Sequence, residues 1–475
     1  MKTKFSITKW LALAALAVLN LQLSMALGSQ MFPIVTNDTA ATGFSVACAG
    51  TNYLVGIQGD YLGLGNGYQI TAQLFGLDGK PVGARINPVL GHTGGNSFIA
   101  SSGTNFLMAW PDDYLGRNGT NYSSISAQLI SPTGGLIGGM IAITANSQQN
   151  SSSLEPVAYG GGKYLATWDD HRNGTNWAVY GQLVSSAGAL VGGNILISAP
   201  VNAQDEKSAS VAFDGTNFLV VWQFANAASH YVTYGVFISP SGVMGTPFAI
   251  SQTVSAAANF GAVVFNGTNY LVIYNAGLGS AKPLYGRFVT PAGTFPGNEF
   301  EIVTNGNARG QALAFDGVNY LLCWNDNLFA ANSVEQFEFL NAGGQPMGPE
   351  FTPFTAVGSE VPLIANLFFD GTRFATVATL SAGGFTPTIN AGIYGAFIPA
   401  STTPPQFGTG ASYFNNQFSL SLTGTPGINY AIQAATNLPA SNWMPLVTNS
   451  PTNGAFTFTD TGATNRSRFY RAVKQ

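Results

Sequence analysis

The residues best suited to chemistry lie in two related loops. Asp112 and Asp113 precede Tyr114 and Arg117, while Asp169 and Asp170 precede His171, Arg172 and Trp177. Paired carboxylates beside a guanidinium and an aromatic ring can hold Ca²⁺, a sugar or a polar peptide. Two carboxyls at a set separation can also serve as acid and base on a glycosidic bond, although neighbours in one loop seldom take that geometry. The same Asp–Arg pair can instead pin a long loop to its sheet. Weaker versions at Asp60 and Tyr61 and at Asn325 and Asp326 favour the pinning role, because a motif repeated along a chain generally serves the repeat. These nine residues, Asp112, Asp113, Tyr114, Arg117, Asp169, Asp170, His171, Arg172 and Trp177, form the candidate ligand-binding set, and none is assigned a catalytic role.

Other chemistries find little footing. His92, His171 and His230 have no spacing typical of a metal site. There is no nucleophile elbow, no phosphate loop and no Cys/His pair, and no cofactor is implied. Net charge is −4, only 8% of residues are charged, and no basic tract occurs, which argues against nucleic acid or an anionic membrane surface as partner. Asn118, Asn173 and Asn266 match glycosylation acceptors, but each opens an Asn-Gly-Thr turn where hairpin chemistry explains it.

The elements that must position the two loops come from an internal repeat. The segment 210–222, Ser-Val-Ala-Phe-Asp-Gly-Thr-Asn-Phe-Leu-Val-Val-Trp, has relatives marked by an aromatic after the turn: Tyr53, Phe106, Tyr164, Phe218, Tyr270, Tyr320 and Phe374. These markers are 53, 58, 54, 52, 50 and 54 residues apart. Each unit reads as four strands. An Asp-Gly-Thr-Asn hairpin joins the first two, a Tyr-Gly-x-x-Val strand is third, and a fourth follows a Pro/Ser/Gly turn. The second strand is apolar on both faces, as a strand sandwiched between neighbouring sheets must be. Four antiparallel strands per unit of about 50 residues fit propeller blades, which cannot bury both faces alone. The expected fold is therefore all-β, a seven-bladed β-propeller over 29–398, then a linker at 399–410 and a small β-sandwich at 411–475.

The seventh unit has no fourth strand of its own, because Pro399 to Pro405 cannot supply one. Phe32-Pro-Ile-Val-Thr-Asn37 closely matches Phe300-Glu-Ile-Val-Thr-Asn305, a fourth strand elsewhere. The spacing predicts that the N-terminal strand completes the last blade. Cys48 and Cys323 fall in the first and sixth units and are expected as free buried thiols.

Lys2, Lys4 and Lys9 precede an apolar run from Trp10 to Leu23 and small residues at Ser24, Ala26 and Gly28. That pattern reads as a secretory signal peptide over 1–28, leaving no membrane span after cleavage and placing the protein outside the cell or on its surface.

Beyond residue 410 a different pattern takes over. Gly427, Tyr430, Ile432, Gln433, Thr436, Asn437, Leu438, Trp443, Leu446, Phe458, Asp460, Arg468, Phe469, Tyr470 and Arg471 carry it. It resembles a C-terminal module of secreted multidomain proteins from Verrucomicrobia-type bacteria. The repeats, with Phe-Asp-Gly-x-x-Tyr-Leu-Val-Val-Trp and Ile-Tyr-Gly-x-x-Val, are similar to an uncharacterised secreted bacterial family. The resemblance implies compartment and architecture, and no activity. The expectation is thus an exported, monomeric, non-enzymatic protein that presents its loops to a glycan or a cell-surface protein. The alternative is a carbohydrate-active enzyme, hydrolase or lyase, with its site in the propeller mouth.

Overall fold

The computed structural model describes residues 30–35, 42–59, 69–88, 93–94, 97–115, 121–144, 153–170, 172, 176–198, 206–225, 230–255, 261–277, 283–304, 308–326, 334–354, 361–381, 392–400, 406–407, 412–414, 417–423, 430–436, 443–449, 455–463 and 468–474. The predicted signal peptide lies outside them. The fold is all-β, with no helix among the described residues. Among the described residues no helix is long and apolar enough to cross a membrane. The chain divides into a larger unit, Ser29–Pro399, and a smaller one that holds Ala400–Gln475.

The turn residues explain the hairpins. Asp214 Oδ1 accepts the backbone amides of Thr216 and Asn217, both at 2.7 Å. Between them Gly215 has φ of 98°, a left-handed conformation that a Cβ disfavours. Asp316 and Asp370 repeat the arrangement. Asn266 does the same, and its amide nitrogen also donates to the Tyr320 hydroxyl at 2.6 Å, so that side chain is engaged by the turn and its neighbour.

Most repeats give the expected four-stranded antiparallel sheet, for example Ser153–Gly160, Lys163–Asp170, Ala178–Ser185 and Leu190–Leu196 in that order. Three repeats depart from it. The first two share one nine-stranded sheet, because Thr93–Gly94 pairs with both Gln69 and the Asp112–Asp113 segment. The sixth has three strands, its fourth reduced to bridges from Phe337 to Phe351 and from Leu340 to Pro346. Pro346, Pro349 and Pro353 in that segment have no amide to donate to a ladder.

Packing runs from repeat to repeat. Leu107 and Ala109 pack with Tyr164 and Trp168, and Leu165 packs with Val220 and Trp222. Next come Leu219 with Tyr270, Leu271 with Tyr320, and Leu321 with Phe374. One further cluster joins the seventh repeat to the first, through Val377, Ile393, Val46 and Val55. The first strands touch in the same succession. Thr42–Ala49 meets Phe98–Ser101, then come Ser153–Gly160, Glu206–Phe213, Ala262–Phe265, Ala308–Phe315 and Val361–Phe369, and the last meets Thr42–Ala49. The aromatic markers add polar ties between repeats. Tyr164 donates to Asn105 O at 3.2 Å, Tyr270 to Asn217 O at 3.0 Å, and Tyr53 to the Asp370 carboxylate of the last repeat.

The N-terminal strand Gln30–Val35 pairs antiparallel with Gly392–Pro399, completing a four-stranded sheet with Arg373–Ser381 and Val361–Phe369. Phe32 stacks near Phe397 and Phe75, with ring centroids 4.8 and 5.5 Å away. It lies over Gly395 of its own sheet and Gly79 of the first repeat, where a Cβ would come within 2.5 and 2.7 Å of the ring. Phe300 sits in the same way over Gly286 and Gly344. The matching hexapeptides therefore play one structural role, and the glycine of Tyr-Gly-x-x-Val exists to admit the fourth strand's side chain. Thr36 and Asn37 lie outside the described residues.

In the smaller unit, Gln417–Thr423 pairs with Ser412–Phe414, Ala455–Asp460 and Gln406–Phe407, while Tyr430–Ala435 pairs with Met444–Asn449 and Phe469–Lys474. Gln406 and Phe407, read as linker, thus form a short strand. Leu422, Tyr430, Ile432, Phe458 and Tyr470 share one core. The signature residues of this segment hold it together. Asp460 accepts from Tyr470 at 2.9 Å and pairs with Arg468 at 2.6 Å, and Arg471 lies over Trp443 and donates to Gln433 at 2.8 Å.

Neither cysteine forms a disulfide; Cys323 is fully buried and Cys48 half-buried. Burial pushes the Cys48 thiol up to about 11 and the Cys323 thiol well above its ordinary value, so neither is a ready nucleophile. Phe32→Ala removes a half-buried ring at the junction of the last and first repeats. It is expected to cost about 2–3 kcal/mol and lower Tm by a few degrees, measured by calorimetry. Val243→Ala, at a residue 69% exposed, is the control that leaves Tm in place.

Candidate active site

The loop base after Lys163–Asp170 is a closed polar network. The Asp170 carboxylate is fully buried and accepts from the Arg172 amide at 2.7 Å, from Arg172 Nε at 2.8 Å and from the Trp168 indole at 3.1 Å. Arg172 continues to Asn194 at 3.0 Å and lies 4.4 Å from the Tyr180 ring centroid. Asn194 donates to Gln182 at 2.8 Å and to Ile143 O at 3.2 Å, reaching the preceding repeat. A buried charge is tolerable only with such partners. Asp170 and Arg172 thereby pin the loop, as the repeated motif suggested.

Asp169 faces the other way, into the next sheet. Its Oδ2 accepts the Ser208 amide at 3.2 Å, and the residue is buried. The corresponding Asn275 also reaches the next sheet, donating to Ala308 O at 3.0 Å, whereas Gln223 and Asn325 bond within their own sheets, to Thr233 at 2.9 Å and Glu335 at 3.1 Å.

Two residues before Ser208 stands Glu206, a side chain that motif reading passed over. It opens the strand Glu206–Phe213, and its amide donates to Trp177 O at 2.9 Å. Glu206 is 4% exposed, and its Oε2 has no hydrogen-bond partner among the described residues. Burial pushes its carboxyl up to about 7, against the lowering effect of a hydrogen bond from Ser198. Such a group holds a proton near neutral pH and can deliver it, while Asp169 on the adjoining sheet offers a second carboxyl. The sequence signal was the run Asp205, Glu206, Lys207 in a chain where charge is scarce; what sequence does not show is that the side chain is buried.

The remaining expected residues divide as follows. Trp177 is half-buried, and its carbonyl accepts the Glu206 amide. Asp112, Asp113 and Tyr114 lie on the strand Phe106–Leu115, where Asp112 opposes Ser124 and Asp113 opposes Ser123; their side chains lie outside what is described. Arg117 and His171 lie outside the described residues altogether, as do His92, Asn118 and Asn173. Among the described residues no group of three or more His, Cys, Asp or Glu could hold a metal ion. Other perturbed carboxyls are placed differently. Glu338, in the sixth repeat, is raised to about 7 by burial and by nearby Glu350. In Glu299 burial is outweighed by hydrogen bonds from Thr253, Gln252 and Tyr274, which hold its carboxyl below the ordinary range and tie two repeats.

No protein-family model matches the chain, and no curated protein matches it. Nothing of that kind supports the Verrucomicrobia-type resemblance of the C-terminal segment. Solved structures do resemble it. An α-L-arabinanase from Penicillium chrysogenum is 10% identical, over 78% of this chain and 98% of that one, with a TM-score of 0.44. A sialidase from Trypanosoma rangeli is 10% identical, over 81% and 83%, at 0.41. An α-L-arabinofuranosidase from Fusarium graminearum is 12% identical, over 62% and 92%, at 0.41. These neighbours are named as enzymes that act on sugars. The expectation of a non-enzymatic glycan- or protein-binding role is corrected here in favour of its carbohydrate-active alternative, because Glu206 has the environment of a proton donor rather than of a loop-surface contact.

The raised Glu206 carboxyl fixes a sign for stability. Between its ordinary 4.5 and about 7 the folded chain keeps a proton that the unfolded chain gives up, so stability is greatest at the acid end and falls as pH rises. Thermal unfolding from pH 4.5 to 7.5 is expected to show that decline. Glu206→Gln should flatten it, leaving the slope in the same direction that Glu338 contributes.

Proposed function

We propose that the chain is an exported glycoside hydrolase on a seven-bladed β-propeller. In this reading residues 1–28 are the signal peptide, 29–398 the propeller, 399–410 the connection and 411–475 a small β-sandwich like that of secreted multidomain bacterial proteins. Seven aromatic markers, and first strands whose contacts return from the seventh repeat to the first, support the blade count. The enzyme acts outside the cell or on its surface, as a monomer, on a glycan.

The reading is carried by Glu206, a buried carboxyl that keeps its proton to about pH 7 next to the loop base of the third repeat. Glycosidic cleavage needs a proton on the leaving oxygen and a negative group facing the charge that grows on the sugar ring. Glu206 supplies the proton, and the Asp169 carboxylate faces the ring. Asp170 and Arg172 hold the loop base beside them. Asp112, Asp113, Tyr114, Arg117, His171 and Trp177 are the residues assigned to substrate binding in this reading.

Reducing-end release from a panel of neutral and acidic polysaccharides tests this. Glu206→Gln and Asp169→Asn are each expected to lower release by about 100-fold or more, the usual contribution of a positioned acid or base, with Tm retained. No product from any member of the panel, or an unchanged rate in Glu206→Gln, overturns it.

A further inference from the structure

Ser208 is the one non-glycine residue with positive φ among the described residues, at 61°. It lies in a β-bulge. Lys207 opposes Gln223 but Ser210 opposes Val221, so one extra residue enters the inner strand. Register shifts with the same extra residue occur between Leu154 and Val157, between Arg309 and Ala312 and between Leu363 and Asn366. A serine in this conformation is strained, and surrounding contacts must offset that strain.

What the turn achieves is visible across the seam between the third and fourth repeats. It aims the Ser208 amide at Asp169 Oδ2, 3.2 Å away, while Glu206 at the start of the same bulged strand is buried beside Trp177. A hydrogen bond to an ionised carboxylate is among the stronger kinds, and one from backbone cannot swing away as a side chain can. We propose that Ser208 is a positioning residue, whose left-handed backbone clamps the Asp169 carboxylate across the seam and sets it against Glu206. The clamp stands on geometry alone; its consequence for turnover rests on the hydrolase reading.

Three variants separate the possibilities. Ser208→Gly accepts positive φ and keeps the amide, so it should retain kcat and raise Tm slightly. Ser208→Val, β-branched, should flip the backbone, and kcat for polysaccharide hydrolysis is expected to fall about tenfold with KM within twofold. The third readout needs no substrate. By hydrogen exchange with mass spectrometry, the Ser208 amide is expected to be protected in the intact protein and to exchange at least tenfold faster in Asp169→Ala, with ladder amides at 211–213 unchanged. Unaltered exchange in Asp169→Ala overturns the clamp whether or not any polysaccharide is cleaved. Faster exchange with no hydrolysis retains the clamp and rejects the hydrolase reading. Faster exchange in Asp169→Ala together with full kcat in Ser208→Val overturns the positioning role.

Discussion

The constraint on which the larger unit depends is that its sheets have two apolar faces. A strand such as Phe218–Ala225 is buried nearly throughout, as is Tyr270–Asn275. Burying such surface contributes on the order of 25 cal/mol per Å², and leaving one face wet forfeits that gain. A single repeat has nothing to cover its outer face, so each sheet needs a neighbour on either side. The seven clusters meet that need pairwise, and the one joining Val377 and Ile393 to Val46 and Val55 serves the two end repeats, which would otherwise each keep one face uncovered.

Polar groups follow from the same packing. A tyrosine at the marker position brings a hydroxyl into a seam, where it must find a partner. It finds one in the preceding turn: Asn105 for Tyr164, Asn217 for Tyr270, Asp370 for Tyr53. Where the marker is Phe106, Phe218 or Phe374, no such partner is required. Asp370 also receives Arg373, which lies over Phe397 and donates to Leu77 O, so the junction of last and first repeats carries an ion pair in addition to its apolar contacts.

Much of this was legible from residue spacing because hairpin chemistry is local. Asp214, Gly215 and Asn217 announce their turn by type, and the likeness of Phe32 to Phe300 announced a strand paired far along the chain. The departures arise where a non-local partner decides. Thr93 and Gly94 join two repeats through a pairing of two residues, too short for any periodicity. Pro346, Pro349 and Pro353 break the sixth unit's fourth strand, although its flanking residues fit the pattern. At the site, the Asp170–Arg172 pin was readable as a repeated motif. Glu206 was not, since a glutamate at the head of a strand is ordinarily solvated and only the fold reveals its burial.

The placement of Glu206 is costly in a way that bears on its meaning. A buried carboxyl raises its affinity for a proton, and above about pH 7 the fold must carry a charge whose Oε2 is left without a partner. Several other acidic side chains are partnered instead. Asp170 is wrapped by Arg172, Glu299 by four donors, and Asp460 by Arg468 and Tyr470. A few residues from Glu206, the same strand also accepts the only left-handed serine among the described residues. Two departures from low-energy structure thus meet at one seam, next to a third carboxylate-bearing element, Lys163–Asp170. Strain and unpaired burial are features expected where a fold is put to chemical use.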